Sequence, residues 1–344
     1  MIRYVARRLL QAIPLLLMIT LILFILVSNL GDPLASFGGV RRRLPPADRA
    51  RLTRQLGLDK PVIVQYLIWL VGNDWMKVDV DGDGVPDEYG TRRGVLRGDF
   101  GNSFIERRPA IEVIGDRVFA TLLLMVVCEV VVIILALLIG IYSALRQYSV
   151  MDNVITTLSF IGYSMPIFWL SLMMIYIFSV NFRRWGLPYL PVVGMYDLHV
   201  GPTIGQIAWH LVLPVTTLSI VSIAGYSRYV RSQMLEVIHQ DYIRTAYSKG
   251  LPERRVILGH ALKNAALPLV TIIGLDLPLL LGGAVVTEMI FGWPGMGRLY
   301  LKATSAADIP VIMGILLIIS VLVVVFQIIT DITYTFLDPR IRYE

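Results

Sequence analysis

The sequence predicts an all-α polytopic membrane protein, and two observations predict it. Of 344 residues, 56% are apolar and only 16% are charged, whereas an ordinary soluble domain carries about 25% charged residues. The apolar residues also gather into six runs, each near the roughly 20 residues that a helix needs to cross a hydrocarbon core about 30 Å thick. A bilayer offers no water to backbone polar groups, so such runs are expected to be helical. This excludes a water-soluble globular enzyme. The net charge of +6 comes from 31 basic and 25 acidic residues. Without an aromatic-interleaved basic stripe it gives no sign of nucleic acid, and it fits basic loops on one side of a membrane. The single cysteine, Cys128, excludes an internal disulfide framework and a cysteine metal cluster.

The first span is predicted from about Leu9 to Leu30. Arg3, Arg7 and Arg8 precede it as in a signal peptide. The run is longer than a signal's apolar region, however, and no small-x-small cleavage site closes it before Asn29-Leu30-Gly31-Asp32-Pro33, so a retained helix is expected. The others are predicted at Phe119 to Leu145, Val154 to Val180, Ile207 to Val230, Ala265 to Ile290 and Pro310 to Phe336. Pro14 stands early enough in the first to be tolerated, while Pro166, Pro214, Pro268 and Pro278 predict breaks or kinks. The chain thus divides into an N-terminal helix (1–30), an external loop (31–118) and a five-helix core (119–344).

Basic residues in short loops set the orientation. Arg146, Arg231, Arg244, Lys249, Arg254, Arg255, Lys263, Arg340 and Arg342 fall on the same side as Arg3, Arg7 and Arg8, against Arg183, Arg184, Arg298 and Lys302 on the other. Both termini are therefore expected inside and the long first loop outside. In that loop, Pro61 opens an apolar stretch too short to span, with Ile63, Leu67 and Leu70 at helical spacing. A short helix on the membrane surface, or packed on the ends of the spans, is expected.

The same loop carries Asp79-Val80-Asp81-Gly82-Asp83-Gly84-Val85-Pro86-Asp87-Glu88. Carboxylates at alternate positions followed by a glycine suit Ca²⁺, which takes six to eight oxygen ligands. Asp79, Asp81 and Asp83 match positions 1, 3 and 5 of a helix–loop–helix calcium loop. Val85 would offer its carbonyl, and Asp87 stands at the ninth position. Position 12 is Gly90, which brings no carboxylate, and Glu88 would substitute only if the loop closed differently. The alternative is a solvated acidic turn. Repulsion among five acidic groups in ten residues tilts the expectation toward a structural Ca²⁺ that shapes the outer surface.

The inner segment 231–264 is longer than a simple connection. Asp241 is a candidate N-cap, and Gly250 with Pro252 supplies a stop. Tyr242, Thr245, Ala246 and Lys249 fall at i, i+3, i+4 and i+7, so they share one side, and the small residues there permit close approach to a partner. A solvated basic loop is the alternative. Within the spans, Glu129, Asp276 and Asp331 are ionisable, and such groups are functional candidates by default. Glu129 and Asp276 are candidates for a substrate path, where carboxylates would attract a peptide amine. An inter-helix hydrogen bond is the competing reading. The four histidines show no metal-ligand spacing. No G-x-x-x-x-G-K-[ST] sequence occurs, so ATP hydrolysis would belong to another subunit.

These residues resemble the permease subunits of ATP-binding cassette importers of the peptide and nickel class. The family's cytoplasmic EAA positions read Arg244-Thr245-Ala246, with Gly250 downstream. Only the last Ala and the Gly match the general pattern, while Asp241 through Leu251 is closer to the peptide-class version, and Leu267-Pro268 begins seventeen residues after Gly250. Arg3-Tyr4 through Ile13-Pro14, Gly31-Asp32-Pro33, Gly98 to Ser103, Phe291 to Leu299 and the ending Asp338 to Tyr343 also resemble this family, in the right order. The resemblance implies a type I importer permease in the inner membrane. A second permease subunit would complete the path, two ATPase subunits using ATP and Mg²⁺ would dock below, and an extracytoplasmic binding protein would deliver substrate. Asp241 to Gly250 would be the coupling helix. The implied substrates are di- or oligopeptides, with oligosaccharides or nickel as alternatives. A membrane scaffold without a path is a different class. A single-chain secondary transporter would often carry an internal repeat, and none is evident.

Overall fold

The computed structural model describes residues 2–29, 34, 45–86, 88–266, 269–274, 276 and 284–337. The chain forms two compact units, Met1–Phe119 with Arg298–Leu322 and Ala120–Gly297 with Val323–Glu344. Among the described residues, four helices are long and apolar enough to cross a membrane, and a bent pair makes a fifth candidate.

In the first unit, α1 (Ile2–Ser28) matches the first predicted span and contains Pro14 without a break. The polar α2 (Pro46–Gln55) starts on Pro46 with Asp48 in its first turn, both favoured at a helix N-terminus. The predicted short apolar helix is α3 (Val62–Val71), which packs on α1. The Tyr66 hydroxyl donates to the Leu17 carbonyl at 3.1 Å and shares a hydrogen bond with Thr20 Oγ1 at 2.9 Å. Phe24 meets the Tyr66 ring edge-on at 5.7 Å. The antiparallel strands β1 (Lys77–Val78) and β2 (Glu88–Tyr89) flank the acidic loop. The segment Gly98 to Ser103 is anchored to the start of the last helix: Ser103 Oγ donates to Asp308 Oδ2 at 2.5 Å, and the Ile105 N–H donates to the same oxygen at 3.3 Å.

The remaining long helices are α4 (Ala110–Leu145), α8 (Ile204–Ile238) and a last helix over Ile309–Leu337. Both α4 and α8 outrun the predicted spans, because hydropathy marks the bilayer portion while the helix continues through polar turns. In the second unit, Leu124, Cys128, Val132 and Ala136 recur every fourth residue along α4 and are buried against Leu211, Val215, Leu218, Tyr226, Val230 and Met234 of α8. The opposite stripe of α4, Val126, Val130, Ile134 and Leu138, is exposed. An apolar face of that extent belongs against lipid. Pro214 does not break α8.

The third predicted span carries the break expected at Pro166: α5 (Val150–Ser164) ends at Met165, and α6 (Ile167–Ile175) starts after Pro166. A π turn (Tyr176–Asn181) carries α6 into α7 (Phe182–Arg184), and the two halves meet at 106°. The cause is Pro166, which excludes the preceding residue from the helical region; Met165 takes ψ 130°. Part of the fifth predicted span, including Pro268 and Pro278, falls outside the described residues. Its described parts are helical at 269–274, at Asp276 and in a helix over Val285–Ile290.

Candidate functional site

The inner segment begins where α8 ends. After His239 and Gln240, α9 covers Asp241–Ser248, followed by α10 (Glu253–Val256), a π turn (Ile257–Ala261) and α11 (Leu262–Ala265). Two expectations are corrected here. Gln240, in extended backbone, is the N-cap and makes no side-chain cap. Asp241 is the first helical residue, where its charge favours the positive helix end. Ala246 does not share the outward side. It is 6% exposed and packs, with Ile243 at 2%, into the core that also holds Met234, Val256 and Ile257. An apolar residue three positions earlier fixes that face inward, so the small side chain serves close packing within the chain. Tyr242, Thr245, Lys249 and Gly250 are exposed as expected, together with Tyr247. Gly250 has φ +75° and its N–H donates to the Tyr247 carbonyl at 2.9 Å, so it closes the helix in a conformation that favours glycine.

The base of α8 is tied to α5. Arg231 Nε and Nη2 donate to the two carboxylate oxygens of Asp152 at 3.1 and 3.0 Å. Asp152 is 2% exposed and also accepts from the Tyr148 N–H at 2.9 Å, while Ser149 caps α5 by accepting from the Asp152 N–H at 3.1 Å. Sequence reasoning counted Arg231 only as an inner charge. The signal it missed is the Ser149-x-x-Asp152 pattern, an N-terminal capping arrangement that also presents a carboxylate.

Glu129 and Asp276, flagged separately in the sequence, come together around Tyr226. The Tyr226 hydroxyl donates to Asp276 Oδ2 at 2.8 Å, and Glu129 also reaches Tyr226. Glu129 is 5% exposed, and among the described residues its Oε1 has no hydrogen-bond partner. Three chain segments thus supply two carboxylates and one phenol to a single point. Asp331 is half-buried in the last helix.

A second buried carboxylate, Glu288, was not singled out, although an acidic residue in an apolar run was its signal. It lies in α12 (Val285–Ile290), is fully buried, and accepts from Thr121 Oγ1 at 2.8 Å. Thr121 Oγ1 in turn accepts from the Met296 N–H at 2.7 Å, and Trp293 Nε1 donates to the Ala120 carbonyl at 2.8 Å. A Cβ on Gly295 would stand 2.1 Å from Glu288 Oε1. The Phe291 to Gly297 stretch is therefore a clasp, with α13 (Met296–Ser305) starting from it.

In the acidic loop, ligand oxygens of Asp79, Asp81 and Asp83 lie within 4.8 Å of one another. Asp79 accepts from the Gly82 and Gly84 N–H groups, Asp81 from the Asp83 N–H, and Asp83 from the Val85 N–H at 2.7 Å. The Gly82 bond is the largest of several that hold the Asp79 carboxyl below its ordinary range. Arg54 donates to the Val80 and Asp81 carbonyls and brings a positive charge to the loop. Asp87 lies outside the described residues. Glu88 is in β2 and pairs with Arg51 at 3.6 Å.

Residues 136–343 match the family described as binding-protein-dependent transport system inner membrane component, and residues 1–125 match its membrane-component N-terminal family. The chain is 40% identical to the oligopeptide transport system permease protein AppB of Bacillus subtilis over 100% of both chains. It is 36% identical to the dipeptide transport system permease protein DppB of Escherichia coli, again over 100% of both. A solved inward-facing structure of the MetNI methionine ABC transporter matches with a TM-score of 0.51 at 18% identity, covering 66% of this chain and 97% of that one; this likeness bears on the fold. The chain belongs to the binding-protein-dependent transport system inner membrane component family, as a mostly helical polytopic membrane protein.

Proposed function

We propose that the chain is a translocation-path subunit of an ATP-driven importer of di- or oligopeptides. The observation that carries the mechanism is α9: it follows α8 directly, buries Ile243 and Ala246 in the chain's own core, and leaves Tyr242, Thr245, Tyr247 and Lys249 exposed. A helix held on one face and free on the other is suited to sit in a groove of an ATPase subunit. The exposed tyrosines supply rigid aromatic anchors of the kind that dominate interfaces. When the ATPases close on ATP, α9 would be displaced, and the Asp152–Arg231 pair would carry that displacement from α8 to α5. The result is a two-state change biased by ligand.

The partners in this reading are a second permease subunit, two ATPase subunits and an extracytoplasmic binding protein, with both termini and α9 cytoplasmic. Glu129 and Asp276, with Tyr226, belong to the substrate path, where carboxyl groups would favour the amine that peptides share. The acidic loop holds a structural Ca²⁺ through Asp79, Asp81, Asp83, the Val85 carbonyl and Asp87; the convergence of the first three carboxylates supports this. Addition of Ca²⁺ should raise the thermal midpoint of the chain but not of the Asp81→Asn variant, and identical midpoints with Ca²⁺ and with chelator would reject that site.

Uptake by proteoliposomes containing the permease pair, the ATPases and the binding protein tests the substrate class. ATP-dependent accumulation of a labelled dipeptide is expected. Accumulation of nickel or an oligosaccharide instead, or of nothing, would contradict it.

A further inference from the structure

Two cavities in the first unit meet at Leu56, Arg92, Phe104 and Pro310. The larger, of about 590 Å³, is the more polar of the two, with Gln55, Thr91, Asn102 and Arg107 joining Arg92 in its wall. The smaller, of about 250 Å³, is walled mainly by Phe24, Val27, Val62, Trp69, Phe100 and Ile309. Phe24 and Val27 belong to the last turns of α1, and Ile309 opens α14 (Ile309–Leu337). The apolar chamber therefore lies where two membrane helices reach the edge of the bilayer, and the polar chamber lies beyond it.

Several arginines of this unit are engaged. Arg97 is bound to Asp74, and Arg108 is bound to Glu106 and Asp116. Arg92 and Arg107 differ: among the described residues, neither guanidinium makes a hydrogen bond or an ion pair. Arg92 is half-buried, and that burial disfavours its charged form, with the nearby Asp99 acting in the opposite sense. Asp99 lines the same cavity, but both of its oxygens accept backbone N–H groups, from Arg93 and from Gly101, each at 2.9 Å. The wall thus presents two unengaged guanidinium groups against one satisfied carboxylate. Arg107 is held at φ +54°, in the left-handed region that non-glycine residues rarely adopt. Its N–H donates to the Ser103 carbonyl at 3.0 Å, in the turn that Ser103 anchors to Asp308.

A ligand that fits must be anionic at one end and apolar at the other, and must be available at the membrane boundary. We propose that this double cavity binds an anionic phospholipid, with its phosphate between Arg92 and Arg107 and the start of an acyl chain in the apolar chamber. Guanidinium groups recognise phosphate through paired, charge-assisted hydrogen bonds, and basic pockets between membrane helices hold lipid headgroups in this way. The apolar chamber is too small for a whole chain, which would continue along Ile22 and Leu26, both exposed on α1. Bound lipid would join α1, α3, the Gly98 to Ser103 segment and the start of α14 into one body.

Free phosphate shares the headgroup's chemistry, so the test separates the two sources. The full chain, purified in mild detergent and stripped of lipid, is titrated with phosphatidylglycerol, phosphatidylcholine or inorganic phosphate. Binding is followed by native mass spectrometry and by the thermal midpoint. Phosphatidylglycerol is expected to bind and to raise the midpoint, phosphatidylcholine to bind more weakly, and phosphate alone to have no effect. Arg92→Gln and Arg107→Gln should each weaken phosphatidylglycerol binding by about tenfold, with Arg92→Lys recovering part of it. Arg51→Gln, which removes the same charge from the surface pair with Glu88, should leave it unchanged. Arg107 is exposed, so its variant remains decisive if Arg92→Gln fails to fold. Equal binding of the two lipids, an equal response to phosphate alone, or unchanged affinity in the Arg107 variant would each overturn the assignment.

Discussion

The Tyr226 hydroxyl donates to Asp276 Oδ2 at 2.8 Å, across 50 residues of sequence, with Glu129 beside the same ring. This bond is a polar link between α8 and the segment around Asp276. Removing the hydroxyl leaves Asp276 short of a donor. Tyr226→Phe should destabilise the chain by about 1–3 kcal/mol, the cost of leaving a buried polar group without its partner, read as a lower thermal midpoint in detergent. Glu129→Gln should be milder, since Glu129 Oε1 has no partner to lose. A Tyr226→Phe midpoint equal to wild type would show that the bond carries no stability.

The clasp around Glu288 predicts intolerance at a glycine. Gly295→Ala would drive a methyl group to 2.1 Å from the Glu288 carboxylate, and overpacking of this kind costs about 1–3 kcal/mol. The second substitution Glu288→Gln would not relieve the clash, because it keeps the side-chain volume, whereas Glu288→Ala in the Gly295→Ala background would relieve it in part. Thermal midpoints of the three variants give the order. Equal midpoints for Gly295→Ala and wild type would remove the clasp from the account.

Breaking the tie between α5 and α8 should cost both stability and coupling. Arg231→Gln leaves the buried Asp152 carboxylate unpaired, a loss of about 3–5 kcal/mol for a buried pair, less here because the Arg231 side chain is 26% exposed. In proteoliposomes the surviving protein should hydrolyse ATP with reduced peptide uptake per ATP. A variant that folds poorly but keeps the normal ratio would assign the pair to stability alone.

Acid should loosen the first unit around Asp74 and Asp79. The Asp74 carboxyl is held below its ordinary range by the hydrogen-bonded Arg97, and Asp79 by the Gly82 N–H. A lowered folded value means that the stabilisation is fully present above the unfolded value, about 3.9, and is lost as pH falls through the folded one. Limited proteolysis below about pH 4 should cut between residues 74 and 97 first, and Asp74→Asn should flatten that dependence. Cleavage with the same pH profile in Asp74→Asn would contradict it.

Much of this fold was legible because bilayer physics is written in composition: runs of about 20 apolar residues have few alternatives. The Pro166 break was legible for the same local reason. The outer ends of the spans were not, since Glu112, Asp116 and Arg117 lower hydropathy without ending α4. At the candidate site, Glu129 and Asp276 stood out as charges in apolar runs, but Tyr226 did not, because an aromatic residue in a span reads as packing until its hydroxyl finds a partner. Ala246 was assigned to the wrong face. Its small size suits contact with a partner, while the neighbouring Ile243 already marks that side as core.

The central claim is that the exposed face of α9 contacts an ATPase subunit and that its buried face does not. A cysteine at Thr245, in a chain whose Cys128 has been replaced by serine, should cross-link to the ATPase subunit in the assembled importer through a short bifunctional reagent. The cross-link should abolish peptide uptake, and a cysteine at the buried Ile243 should give none. Efficient cross-linking from Ile243, or none from Thr245 in an assembly that still imports, would contradict the claim.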